Sequence, residues 1–329
     1  MPNSLHALLA SAAVLAASPS AAQPEASSDP PPAAPAYNSA NMVAPVTVTA
    51  RPARVIESQA RSWVTHHVTT DHPEVGQIGR WFDPVCAQVV GLPREDQAAM
   101  IKARIESVAQ AVGVPKARPN CRANVEVVFS DQPQRIMDVV ADRHEFLLGY
   151  EHIHLRDQLK RVTHPIQSWY VTATRSDGGG AAAMMASNLS GRGQWRASVI
   201  DDPFNHPPNG CAASHFTSCL QSEFDNVFIV ADSKALDGKD SGMVADYIVM
   251  LALSRPRTLD HCNAFPSVLD VFARPGCPER QAADGLTPAD AAYLTSLYKA
   301  DLRAKRVGEE GEIALNMARM LIKAKVVGR

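Results

Sequence analysis

Residues 224–255, FDNVFIVADSKALDGKDSGMVADYIVMLALSR, constrain the fold more than any other stretch. Val227, Phe228, Ile229 and Val230 form a β-branched and aromatic run that suits a buried strand. A Gly/Asp turn follows it. Residues 244–253 are then apolar on nearly every face except at Asp246, which predicts a helix enclosed by other elements. An edge-like strand feeding such a helix needs a layered α/β domain to cover it.

The remaining periodicities supply those layers. Helices are expected over residues 52–67, with Trp63 inward, over 93–112, where Met100, Ile101, Ile105, Val108 and Val112 share a side, and over 133–143 and 155–162. Thr287, Pro288 and Asp290 mark a helix start, and residues 309–326 form an amphipathic helix whose charges match the helix dipole. Strands are expected over 125–129 and 168–174, with 195–200 as a hairpin-like return, joining 227–230 in one mixed sheet. The fold class is therefore α/β (α+β), a single mixed-sheet domain over residues 46–329.

Export is written into the N-terminus. The Ala/Leu-rich run at 5–17, followed by small residues at Ser20 and Ala22, predicts a signal peptide over 1–22. Residues 23–45 are Pro/Ala/Ser-rich and predict a disordered linker, because burial cannot offset the entropy of ordering them. VTVTARPAR, from Val46, alternates like a short edge strand. No later stretch reaches membrane-spanning length. A formal charge of −2 suggests neither nucleic acid nor an anionic membrane as partner. Cys86, Cys121, Cys211, Cys219, Cys262 and Cys277 all follow the leader, and an even count in an exported chain reads as disulfides. Their grouping favours nearest neighbours: Cys86 with Cys121, Cys211 with Cys219, Cys262 with Cys277.

VADYIVMLAL, at 244–253, resembles the active-site helix of metzincin-type zinc peptidases, in which two histidines at i and i+4 bind zinc beside a glutamate base. On that resemblance Asp246 stands for the first histidine, Tyr247 for the glutamate, Met250 for the second histidine and Pro256 for the third ligand. FPSVLD, at 265–270, resembles the turn beneath the metal with Leu269 in place of its methionine, and LTPADAAYLTSLY resembles the closing helix of matrixins. The likeness covers the last third of the chain. It implies a zincin-like domain without its chemistry: no catalytic residue, no metal and no cofactor, with Asp246, Tyr247 and Met250 as ligand-binding candidates in a retained groove. RWFDPVC, PIQSWYVTAT and ADYIVMLALS are also similar to an uncharacterised family of exported alphaproteobacterial proteins, which implies a compartment and no activity.

Other polar groups have plainer readings beside functional ones. Asp246 can hydrogen-bond a loop amide or a tyrosine and fix its helix against the disulfide loop. His152 and His154, with His144 or His164, are weak metal candidates. His66 and His67 end a helix, where a cation is favourable. Cys211, Ser214 and His215 supply nucleophile chemistry by type, but a disulfide-closed loop explains that segment, and GxSxG is absent. The reading that follows is a periplasmic or secreted non-catalytic binding or interaction protein, with a protein or peptide of the cell envelope as partner. The alternative is a hydrolase with a non-standard metal or acid site.

Overall fold

The computed structural model describes residues 53–69, 77–149, 157–176, 181–182, 217–218, 220–274, 277 and 283–327. The predicted leader, the linker, the edge strand at 46–49, the return strand at 195–200, the pair Cys211–Cys219, and Ser214, His215, His152 and His154 lie outside them. One mixed sheet carries the fold, with strands β1 (Ala87–Val90), β2 (Val125–Ser130), β3 (Ile166–Ser176), the two-residue β4 (Ala181–Ala182) and β5 (Leu220–Asp232) in the order β1-β2-β5-β3-β4. β1, β2 and β5 are parallel, with Ala87 opposite Val125 and Val125 opposite Val227; β3 runs antiparallel to β5, from Ile166 opposite Ala231 to Ser176 opposite Leu220. The strand preceding the apolar helix is thus central rather than edge-like. Its neighbours on both sides explain why it extends to 13 residues.

Alternation along the strands divides the interior in two. Val125, Val127, Phe129, Val227, Ile229 and Ala231 face the main core. The helices on that side are α1 (Ala53–His67), α2 (Glu95–Val112), α4 (Ser241–Leu253), α5 (Pro288–Lys299) and α6 (Arg306–Val327). Val128, Phe228, Val230 and Trp169 are buried outside that core. Near them, α3 (Pro133–Arg143) packs on β2 and β5, and a 3-10 turn at Glu145–Leu148 packs on β3 and β5. Of the helix expected over 155–162, residues 157–162 are described; 157–159 are helical and 160–162 are not.

Two disulfides join sequence neighbours, Cys86–Cys121 and Cys262–Cys277. The first bridges the approaches to β1 and β2; the second closes the loop beyond α4. No described helix is long and apolar enough to cross a membrane.

α4 is the pillar of the domain. Met243 and every residue after it to Leu253 are buried. Asp240 caps its start, accepting from the Met243 amide at 2.8 Å. At the other end the last carbonyls of a helix lack partners within it. Here each accepts from a side chain: Met250 O from Ser254 Oγ at 2.7 Å, Leu251 O from Tyr170 Oη at 2.8 Å, Ala252 O from Trp81 Nε1 at 2.8 Å and Leu253 O from Tyr298 Oη at 2.9 Å. Donors from β3, α5 and the segment before β1 thereby converge on one helix end.

Candidate functional site

The α4 positions highlighted by the zinc-peptidase resemblance are occupied by the fold itself. Asp246 Oδ1 receives Arg104 Nε from α2 at 2.6 Å, and Oδ2 receives the Leu286 amide at 2.8 Å. A Cβ added at Gly285 would lie 2.7 Å from Asp246 Oδ2, so this approach of the loop needs a glycine there. Tyr247 is fully buried, edge-on to Phe272 with ring centroids 5.0 Å apart; burial drives its phenol far above the ordinary range, and its hydroxyl has no hydrogen-bond partner. Met250 is fully buried in the main core.

The loop beyond α4 is self-locking. Ser267 and Asp270 form a capping box on the 3-10 turn Val268–Phe272, and Thr287 and Asp290 form another on α5. Ser267 Oγ donates to Asp290 Oδ1 at 2.6 Å and joins the two boxes. Burial pushes the Asp290 carboxyl up to about 6, against the opposing pull of the bonds from Ser267, Thr287 and Val268. Leu269 is buried in the main core.

A cavity of about 360 Å³ opens beside the C-terminal end of α4. Gln167, Ser168, Trp169 and Tyr170 of β3 form one wall and residues 255–260 the facing one, with Thr69 also on its lining. Pro256 lies in the second wall. The Arg255 guanidinium sits 5.6 Å from the Tyr170 ring centroid, a cation-π placement that holds it at the cavity. Arg257 is exposed and pairs with no carboxylate among the described residues. Thr69 Oγ1 is buried without a partner.

His164 stands between this cavity and a second one of about 580 Å³, which Thr163 and His164 also line. The second lies at the carboxyl ends of β2 and β5, with Gln132, Arg135 and Asp232 on its walls, a location that serves ligands in many α/β sheets. His164 Nδ1 is 2.9 Å from Thr163 Oγ1, and His164 Nε2 is 3.0 Å from Asp260 Oδ1. Arg274 adds its amide to Asp260 Oδ1 at 2.9 Å and Nη2 to Oδ2 at 3.4 Å. Burial works to raise the Asp260 carboxyl, but the bonds from His164 and Arg274 hold it below its ordinary value.

Hydroxyl, imidazole and carboxylate in a row are the parts of an activated nucleophile. Here the hydroxyl is otherwise engaged. Thr163 Oγ1 also lies 3.1 Å from Gln167 Oε1, and that oxygen accepts the Thr163 amide at 2.8 Å. The group acts as a clasp tying the turn before β3 to the disulfide loop.

The other polar clusters are interior. Arg80 pairs with Glu309 at the start of α6, both buried, and donates to Leu297 O at 2.8 Å. Burial pushes the Glu309 carboxyl up to about 7, with Arg80 opposing. Burial likewise raises Glu126 on β2 to about 7, and its Oε2 has no partner. His67 corrects the expectation of a cation at the end of α1. It is buried, stacked on Trp63 at 4.3 Å, and burial lowers its pKa to about 4. Among the described residues no group of three or more His, Cys, Asp or Glu side chains could hold a metal ion.

Sequence reasoning missed Arg255, Arg257 and Asp260 and weighed His164 only as a metal ligand. The signal that could have found the arginines is RPR directly after an apolar helix, two cations where the helix dipole favours them. Asp260 carries no such signal, because its partner is 96 residues away. No family model, curated protein or solved structure matches the chain.

Proposed function

We propose that the chain is an exported, non-catalytic binding or interaction protein of the cell envelope, with its ligand seated in the cavity at the C-terminal end of α4. One contrast carries this reading. On the part of α4 that resembles a peptidase helix Asp246 is bound within the fold and Tyr247 is sealed in the core, whereas the neighbouring cavity is lined by the exposed Arg257, which pairs with no carboxylate among the described residues. Pro256, which the zincin resemblance would align with the third metal ligand, lines that cavity, and this supports the reading of a retained groove. The predicted leader and the two disulfides support an extracytoplasmic setting.

A second reading, a hydrolase using His164, is favoured by the Thr163–His164–Asp260 row. One experiment separates the two. Protein purified from the periplasm, with Asp246→Asn and His164→Gln beside it, is assayed on panels of fluorogenic peptides and esters, and its metal content is measured. The binding reading expects no turnover above the blank and no stoichiometric transition metal. Turnover abolished by His164→Gln, or by Asp246→Asn in a variant that still folds, contradicts it, as does a stoichiometric metal lost on His154→Ala.

A further inference from the structure

We infer that the cavity beside α4 takes a carboxylate carried on an apolar body, an inference that rests on this cavity being the ligand seat. The two ends of such a ligand are each answered by the lining. Leu148, Leu159 and Trp169 offer an apolar surface, while Arg255 and Arg257 stand with Leu259 on the segment 255–260. The cavity volume, about 360 Å³, lies at the small end of ligand pockets, which suits a small organic acid.

The charges select one negative group. Asp260, the acid on the lining, is held by His164 and by Arg274. Arg255 is held over the Tyr170 ring, and Arg257 keeps its planar fork of donors open, a fork that matches a carboxylate in two parallel hydrogen bonds. A phosphate dianion asks for more converging cationic donors than these two arginines supply.

The Thr69 hydroxyl is the independent observation. A buried hydroxyl without a partner among the described residues is costly, and Thr69 is one of the residues that line this same cavity. A ligand oxygen bound there would supply the missing bond, which places a polar atom of the ligand at the α1 side as well as at the arginines. The same chemistry is offered by a free organic acid and by the C-terminal carboxylate of an apolar peptide.

Calorimetric titration of the mature protein tests this with phenylbutyrate, its neutral amide, the peptide N-acetyl-phenylalanyl-leucine and inorganic phosphate. The expected result is that an acid binds at least tenfold more tightly than the amide and than phosphate. Arg257→Gln should weaken the acid at least tenfold and leave the amide unchanged, and Thr69→Val should weaken both acids severalfold. Whichever acid binds more tightly names the source, free acid or peptide end. Equal binding of acid and amide, tighter binding of phosphate, or an Arg257→Gln variant that binds like its parent overturns the inference. If acid and amide bind alike and Leu259→Arg blocks both, the cavity remains a ligand seat and only the ligand class falls. If no probe binds, the inference falls, and native mass spectrometry showing no bound molecule on periplasmic protein removes the cavity reading with it.

Discussion

The two ends of α4 obey the same physics with opposite results. Around Asp246 and Tyr247 the helix is sealed, and the buried carboxylate is met by a guanidinium and a backbone amide. At the other end the backbone is equally satisfied, with four carbonyls capped by Ser254, Tyr170, Trp81 and Tyr298, but the chain then leaves the core as Arg255-Pro256-Arg257. The difference lies in what is left over. In the closed interior the Asp246 carboxylate is fully met while the Tyr247 hydroxyl is sealed away from water, whereas polar groups at a helix exit can be fixed at one atom and free at another. The positions of α4 that resemble an enzyme's helix are thus taken up by packing and by contacts within the fold.

The comparison can be strained from its sealed side first. His67 is buried as well, with the Trp63 and Tyr293 rings packed on it and the stacked imidazoles of His66 and His261 close enough to act on its charge. Its folded-state pKa is lowered from 6.5 to about 4, so the unfolded chain takes up the proton first. Stability is then present above pH 6.5 and is lost as pH falls towards 4, on the order of 3 kcal/mol. Urea midpoints measured from pH 7 to 4 should fall more steeply for the parent than for His67→Gln. Glu126, raised from 4.5 to about 7, has the opposite slope in that range and is common to both proteins, so their difference isolates the histidine.

Asp246→Ala removes two hydrogen bonds and leaves the Leu286 amide unpaired in a partly buried place. It should cost about 2 kcal/mol by urea unfolding, discounted because Arg104 is partly solvated. Tyr298→Phe deletes the donor to Leu253 O and should cost about 1 kcal/mol. Arg257→Gln, on the open side, should change stability by no more than about 0.5 kcal/mol. A large stability loss from Arg257→Gln, or none from Asp246→Ala, would erase the distinction between the two ends.

Much of the fold was legible because its signals are local. The apolar run of α4, the capping box of Thr287 and Asp290, the strand at β2 and the disulfide partners Cys86–Cys121 and Cys262–Cys277 each depend on neighbours in sequence. β1 was hidden because AQVV is four residues long and gains its identity from pairing with β2. The first half of β5, LQSEFD, is polar enough to pass for a loop and is a strand through its pairing with β3. The site was less legible still. Asp246 was readable as an acid in need of a loop amide, but Arg104, 142 residues away, was not. Nor was the meeting of Thr69, Tyr170 and Arg257 around one cavity, which only tertiary packing creates.

The central claim is that Asp246 is part of the scaffold and not of any chemistry. A double-mutant cycle on Asp246→Asn and Arg104→Gln, read by urea unfolding at pH 7, tests it most directly. The account predicts that the two residues are coupled by about 1 kcal/mol, with both single variants less stable than the parent. Additive effects, or an Asp246→Asn protein more stable than its parent, would mark a carboxylate kept at the expense of stability and would contradict it.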